Sequence, residues 1–434
     1  MSPVEEPGRR RARWAWALYD VGNSAFYLTI VAAVFPVFYQ SLYVKKHAAP
    51  GADEAKLVTQ GGSALALTAT IAMVVVAVLG PVLGAVADRT AVKKKLLAGF
   101  AALGAASCLA MLAIGEADVG LASVLYALGT IGVAGSIVFY DALLPSVARE
   151  EELDRVSTLG FAAGYLGSVV LFVAQTVLLS KPELLGLRDA AQAARWSFAS
   201  VGIWWALFTI PILRLVPEPP VGKTEGSVLL AGFRQLGSTL RKLPRHRVLL
   251  LFLLAYWVYS DGIGTIIKLA APFGNSLGVK TPDLMKALIL TQLVGVPCAL
   301  AFGRIARRTG AKAAILAGLL AYAAICVSAA FMTKTWHFTA MAVSVGFVQG
   351  GTQALSRSLF ATLVPKGQTT EFFGFFSTME KFAGILGPLV LALLWKDGGD
   401  PRRGILAIAA FFVVGAAILW RVDVEAGRKA AQAC

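Results

Sequence analysis

The feature that most constrains this chain is its succession of long apolar runs, such as Ile71 to Leu83 and Ile405 to Leu419, joined by short polar connections. A helix crosses the hydrocarbon of a bilayer in roughly 20 residues, and no strand-like alternation competes with these runs. With 57% hydrophobic and 15% charged residues among 434, the chain carries more apolar surface than one soluble domain can bury. Its solvent is therefore largely lipid. The runs predict about twelve spans, at 14–43, 59–87, 96–115, 119–144, 156–179, 196–216, 248–274, 284–303, 312–333, 337–364, 372–396 and 404–420. The expected fold class is an all-α membrane protein.

A formal net charge of +15 raises the question of nucleic acid. The Lys and Arg residues, however, fall mainly on segments that are cytoplasmic when the N-terminus is inside, which is the positive-inside pattern. The basic balance thus reports orientation, with both termini cytoplasmic, and contact with a lipid bilayer rather than nucleic-acid binding. Arg9, Arg10, Arg11 and Arg13 precede an apolar run that is too long for a signal peptide and lacks a cleavage site, so an uncleaved first span is expected. Cys108, Cys298 and Cys326 sit in apolar runs and Cys434 is the last residue, which implies no disulfide or metal framework. His47, His246 and His337 lie near span ends, offering neither a metal cluster nor a catalytic pair. No cofactor and no enzymatic activity are expected. No G-x-x-x-x-G-K-[ST] motif occurs, so ATP is not expected to drive the protein.

The longest polar connection, Pro217 to Arg247, holds Pro217, Pro219, Pro220, Gly222 and Gly226 followed by a basic stretch. It divides the chain into an N-terminal six-helix bundle (1–216), a cytoplasmic linker (217–247) and a C-terminal six-helix bundle (248–434). An internal repeat supports two related halves. Gly84-Ala-Val-Ala-Asp-Arg-Thr90 aligns with Gly303-Arg-Ile-Ala-Arg-Arg-Thr309, Leu144-Pro145 with Val364-Pro365, and Gly164-Tyr-Leu-Gly167 with Gly384-Ile-Leu-Gly387. Each pair is separated by 219 or 220 positions.

Ionisable groups inside a membrane are costly and mark functional candidates. They are Asp20 in span 1, Asp141 in span 4, Asp261 and Lys268 in span 7, Arg357 in span 10, and Glu380 with Lys381 in span 11. Helical spacing gathers Asp20, Asn23, Ser24 and Tyr27 on one face of span 1, and Asp261, Gly264, Thr265 and Lys268 on one face of span 7. Span 10 adds Gln349, Gln353 and Arg357, and span 4 adds Ser136, Tyr140 and Asp141. These residues are expected to line a polar cavity between the halves. Glu380 and Lys381 are expected to brace the halves.

Several motifs carry a resemblance to the major facilitator superfamily. The loop Gly84-Ala-Val-Ala-Asp88-Arg89, followed by Lys93, Lys94 and Lys95, resembles its G-x-x-x-D-R/K loop, in which an acid at a helix end can latch one half to a neighbouring helix. Arg307 replaces the acid in the second copy. The segments WALYDVGNSAF (16–26), FPVFY (35–39), FYDALLP (139–145), RVSTLGFAAGYLG (155–167), GIWWALFTIP (202–211), YSDGIGTI (259–266), GGTQALSRSLFATLVP (350–365) and EFFGFF (371–376) narrow the likeness. They resemble the branch called the unknown major facilitator family, which is similar to fungal vacuolar amino-acid effluxers. Asparagine is common in that pattern where this chain has Asp141.

The resemblance implies spans 1, 4, 7 and 10 around a central cavity, with Tyr19, Asp20, Asn23, Ser24, Asp261, Gly262, Thr265, Gln353, Ser356 and Arg357 as a shared set. It also implies a multi-pass protein of a cytoplasmic membrane, or of a vacuolar-type membrane in a eukaryote. The function expected is alternating-access transport of a small polar solute, an amino acid or related zwitterion. Its ammonium is assigned to Asp20 and Asp261, and its carboxylate to Lys268 and Arg357. A proton-linked efflux pump for lipophilic compounds is the alternative. Protons as a coupling partner and facilitated diffusion are equally consistent with the sequence. The protein is expected to be monomeric.

Overall fold

The computed structural model describes residues 7–50, 53–218, 246–276, 279, 281–332, 334–365, 368–382 and 401–433. Among them the chain is entirely helical. Helix α1 (Pro7–Phe26) runs through a π segment, Tyr27–Ala33, into α2 (Val34–His47). It is followed by α3 (Glu54–Thr90), α4 (Lys93–Ala110), α5 (Val119–Ala142), the short α6 (Leu144–Val147), α7 (Leu153–Ser180) and α8 (Ala190–Leu215). The second half contains α9 (Arg247–Ser276), α10 (Thr281–Thr309), α11 (Ala311–Ala329), α12 (Thr335–Leu363), α13 (Thr369–Phe382), α14 (Pro401–Trp420) and α15 (Val424–Ala433). Every expected span falls on a helix, the eleventh being described only as far as Phe382. Several helices run longer than the expected spans.

Among the described residues nine helices are long and apolar enough to cross a membrane. Helix α12, at 29 residues, is not one of them, since it carries Arg357 and two glutamines on a long helix. Helix α14 is joined to α15 by a bend of 60°. Aliphatic side chains that a soluble protein would cover lie bare, among them Leu67, Val78, Val124, Leu207 and Leu320. This is the surface a bilayer solvates. Exposed Trp14 and Trp420 mark one rim of that belt and Trp196 and Trp336 the other.

The break in the first span has a local cause. Pro36 has no N–H to give to the carbonyl four residues back, and its ring crowds that carbonyl, so the preceding turn widens into a π segment. Thr29 within it donates to Gln175 Oε1 on α7 at 2.7 Å, and Gln175 Nε2 donates to the Ser197 carbonyl of α8 at 3.0 Å. The widened turn is thereby tied to two neighbouring helices.

Buried apolar side chains form two main clusters, one drawn from residues between Ala12 and Val216, the other from Leu249 to Val422 with Ala142. A repeated device closes each. Lys94 Nζ donates to the carbonyls of Leu213 and Val216 at 2.8 and 2.9 Å, satisfying the end of α8. Lys312 Nζ does the same for Trp420 and Val422 at the end of α14, at 2.7 and 2.8 Å. A cation at a helix C-terminus meets both the orphan carbonyls and the negative end of the dipole. The start of α1 and the helix α15 lie on one side of the molecule. Arg13 of α1 pairs with Glu152 at 2.5 Å and Arg428 of α15 with Glu150 at 3.5 Å, both on the turn before α7. The Lys and Arg distribution makes that side cytoplasmic.

Candidate functional site

Where α1, α5 and α7 of the first half meet α12 of the second, the structure buries a cluster of charge. Arg357 on α12 donates through Nη1 to Asp141 Oδ1 at 3.0 Å, through Nε to Ser157 Oγ at 2.9 Å and through Nη2 to the Ser157 carbonyl at 3.0 Å. Asp20 Oδ2 lies 3.6 Å from Arg357 Nη2. The guanidinium carbon sits 4.7 Å from the ring centre of Phe161, 4.8 Å from that of Trp16 and 5.3 Å from that of Tyr140. Trp16 and Tyr140 are themselves stacked, 4.4 Å apart and 13° from parallel. A guanidinium so placed is compensated by the carboxylates beside it and by the aromatic rings around it.

Asp20 is held on its other sides. Tyr140 Oη donates to its Oδ2 at 2.8 Å and Asn23 Nδ2 to its Oδ1 at 3.2 Å. Room for this comes from Gly160, where a Cβ would stand 2.7 Å from Asp20 Oδ2 and 3.0 Å from Tyr140 Oη. Asp20, Asn23, Tyr140, Asp141 and Arg357 are all buried, while Ser24, Tyr27, Gln349 and Gln353, farther from the cytoplasmic end along the same helices, are half-buried. Tyr27 opens the π segment. The sequence pattern does not single out Trp16, Ser157 or Phe161 as partners of this charge. Trp16 precedes Asp20 by one helical turn, which is the signal that points to it.

Asp261 is fully buried on α9, and the Thr265 hydroxyl donates to its backbone carbonyl at 2.6 Å, a bond within one helix. The carboxylates that engage Arg357 are Asp20 and Asp141. Tyr259, near Asp261, shares a hydrogen bond of 2.7 Å with Ser356 of α12. The side chains of Lys268, Glu380, Lys381 and Arg89 lie outside the described residues. A pocket of about 380 Å³ opens between α11 and α12 around Ile325, Met332 and Met341. Its Ser344 stands 13 residues from Arg357 on α12, or roughly 20 Å along the axis. It is mainly apolar and holds none of the charged groups above, so charge rather than volume locates the site.

The second group crosses between halves at the cytoplasmic ends of α3 and α13. Asp88 Oδ1 accepts from Thr370 N at 3.1 Å and Thr370 Oγ1 at 2.6 Å, and its Oδ2 accepts from Glu371 N at 2.9 Å. These N–H groups open α13, and Gln368 before them is a weak capping residue. Asp88 supplies from the other half what a local cap ordinarily would. Lys93 Nζ pairs with Asp88 at 2.9 Å. The approach requires a glycine at 84, since a Cβ there would be 2.6 Å from the Thr370 carbonyl oxygen. Ser358 of α12 donates to Asp154 of α7 at 2.5 Å, and the Ser157 hydroxyl to the Ala354 carbonyl at 2.7 Å. These contacts all join the halves near their cytoplasmic ends.

A family model described as "Vacuole effluxer Atg22 like" matches residues 8–432. An uncharacterized MFS-type transporter, YxiO of Bacillus subtilis, is 38% identical over 96% of each chain. Autophagy-related protein 22-1 of Aspergillus niger is 27% identical over 63% of this chain and 48% of its own length, so the match takes in about half of the fungal protein. Among solved structures, the human organic anion transporter MFSD10 superposes with a TM-score of 0.74 at 16% identity, over 96% of this chain and 100% of the other. The proton:xylose symporter XylE gives 0.72 at 14%, over 95% and 96%. These two likenesses concern the fold. The chain is a multi-pass transporter of the major facilitator superfamily and belongs to the vacuole effluxer Atg22-like family.

Proposed function

We propose that the protein moves a small polar solute bearing an ammonium group, an amino acid or related zwitterion, by alternating access. The observation that carries this reading is the buried Asp20–Asp141–Arg357 cluster on the seam between halves, with half-buried Ser24, Tyr27, Gln349 and Gln353 on its outer side. Hydrocarbon makes such charge costly, and a polar solute gives it a use. The polar contacts between halves described above fasten the cytoplasmic ends, which supports a conformation closed to the cytoplasm. Asp88 with Gly84 acts as the latch of that closure. Asp20 receives the ammonium, Asp261 is the coupling acid, and the protein works as a monomer in the cytoplasmic membrane. The family description supports the transporter role, and the bacterial relative supports the location.

Reconstituted vesicles with labelled amino acids, peptides and cations, with and without a pH gradient, test the reading. Saturable movement of an amino acid is the expected result. Movement of a hydrophobic dye with none of these solutes would sink it in favour of a lipophilic efflux pump. Asp261→Asn is expected to abolish proton-driven accumulation and leave exchange partly intact, and unchanged accumulation removes Asp261 from coupling.

A further inference from the structure

The second copy of the loop motif departs from the first in charge. Gly84-Ala85-Val86-Ala87-Asp88-Arg89 is matched by Gly303-Arg304-Ile305-Ala306-Arg307-Arg308, so an acid is lost and Arg304 and Arg307 are gained. The surroundings differ as well. Ala85 is fully buried, whereas Arg304, Arg307 and Arg308 are exposed at the end of α10. Among the described residues none of the ion pairs includes these three arginines. Their direction follows from the rest of the helix. Leu290, Leu293, Pro297 and Ile305 form one exposed stripe, and Leu290 and Arg308 are 18 positions apart, which is about five whole turns. Arg304 and Arg308 therefore continue that stripe, while Gly295, Ala299, Gly303 and Ala306 on the opposite side are buried. An exposed stripe of this composition faces hydrocarbon, so its arginines stand where hydrocarbon gives way to cytoplasmic headgroups.

Like charges one helical turn apart repel, and Arg307 adds a third. Side chains so spaced have Cβ atoms roughly 5–6 Å apart, so one anion between Arg304 and Arg308 can meet both guanidinium forks. The neighbouring helix end carries a matching signature. Trp420, 72% exposed, closes α14 with exposed Arg421 beside it. Lys312 follows Arg308 across the Gly310 turn and places its Nζ 5.9 Å from the Trp420 ring centre. An exposed indole among cations suits a headgroup layer.

We propose that the cytoplasmic end of α10, with the Lys312–Trp420 corner beside it, is a binding site for an anionic phospholipid of the cytoplasmic leaflet. Arg304 and Arg308 hold the headgroup phosphate, and an acyl chain lies along the stripe from Ile305 to Leu290. The class is a phospholipid with a phosphate and no ammonium in its headgroup, because an ammonium would meet the same arginines with the wrong sign. The general excess of cytoplasmic Lys and Arg orients the chain and asks for no particular lipid. Two guanidinium forks on one lipid-facing stripe do ask for one. The site is separate from the Asp20–Asp141–Arg357 cluster and does not depend on which solute is carried.

The full-length protein, delipidated in detergent, is titrated with dioleoyl phosphatidylglycerol or dioleoyl phosphatidylcholine, and bound lipid is counted by native mass spectrometry. Wild type is expected to bind the first lipid molecule about tenfold more tightly when it is phosphatidylglycerol. The double variant Arg304→Gln with Arg308→Gln is expected to lose most of that preference. Lys95→Gln with Arg214→Gln, which removes the same charge from exposed positions of the first half, is expected to keep it. The absence of a preference in wild type overturns the proposal. So does an equal loss in the two double variants, which would report only the general field of the basic face. Glycerol phosphate at millimolar concentration is expected to leave the lipid bound, and its displacement of the lipid assigns the arginines to a soluble phosphate instead. Should the first double variant fail to fold, Arg308→Gln alone decides: phosphatidylglycerol binding about threefold weaker is expected, and unchanged binding overturns the site.

Discussion

Replacing Asp88 with asparagine keeps the shape of the latch and removes its charge. In the structure this carboxylate, 1% exposed, accepts three hydrogen bonds from the start of α13 and pairs with Lys93. Hydrogen bonds to a charged group are worth about 1.5–3 kcal/mol each, and an asparagine amide pointed at backbone N–H groups forfeits part of the geometry as well. Water recovers some of the loss once the halves part, and the Lys93 contact belongs to the same half and largely cancels. A net shift of about 3 kcal/mol against the closed state follows, roughly 150-fold in the closed-to-open ratio. A population closed to about 99% would fall to about 40%. Nitroxides at Lys95→Cys and Arg308→Cys, exposed positions on the cytoplasmic ends of opposite halves, report the ratio by dipolar spectroscopy in a background whose native cysteines are serine. The expected result is a second, longer distance in Asp88→Asn. An unchanged distribution would refute the latch, because the three bonds that cross the seam would then carry no conformational preference.

Gly84→Ala places a methyl 2.6 Å from the Thr370 carbonyl and is expected to cost about 1–3 kcal/mol, read as a lowered melting temperature, while Gly264→Ala, with nothing within 4 Å, serves as a neutral comparison. Lys94→Met and Lys312→Met each remove two bonds to helix-terminal carbonyls and are expected to destabilise by about 1 kcal/mol apiece, with equal effects in thermal melts because the device is the same. Tyr140→Phe deletes the 2.8 Å bond to Asp20 but keeps the ring over Arg357; transport in vesicles is expected to lose several-fold in apparent affinity, and an unaltered affinity would separate Asp20 from solute binding.

The spans were legible because hydrocarbon demands length and apolarity together, and each expected span meets a helix. The π segment was not, although Pro36 was in plain view, since a proline can kink, widen or merely cap a turn and the sequence does not choose. Asp20, Asp141 and Arg357 stood out singly as charges in apolar runs. That they meet did not, because helical periodicity reports which face a residue occupies and says nothing of which helix from the other half lies against it. Trp16 is one turn from Asp20, yet an aromatic in a span reads equally as lipid-facing. At the latch, Gly84 and Asp88 have a pattern, whereas the Thr370 and Glu371 N–H groups that they meet carry no side-chain signature. The weak capping residue Gln368 was the available hint.

The internal repeat sharpens what the latch does, because the two copies are not chemically alike. Asp88 corresponds to Arg307, and Arg307 is exposed. The seam that its own copy makes, α10 against α7, is closed by packing: a Cβ at Gly303 would lie 2.5 Å from Thr158 Oγ1, and one at Gly295 would lie 2.8 Å from the Tyr165 ring. Both seams are closely packed, and the first adds a charge that caps a helix. Neutralising Asp88 weakens only the first, so α3 and α13 should separate while α7 and α10 stay in register. The second seam then serves as the pivot. Arg357, bonded to Ser157 on α7 and to Asp141 on α5, sits between latch and pivot, where a small rotation of the second half already withdraws a guanidinium from its two carboxylates.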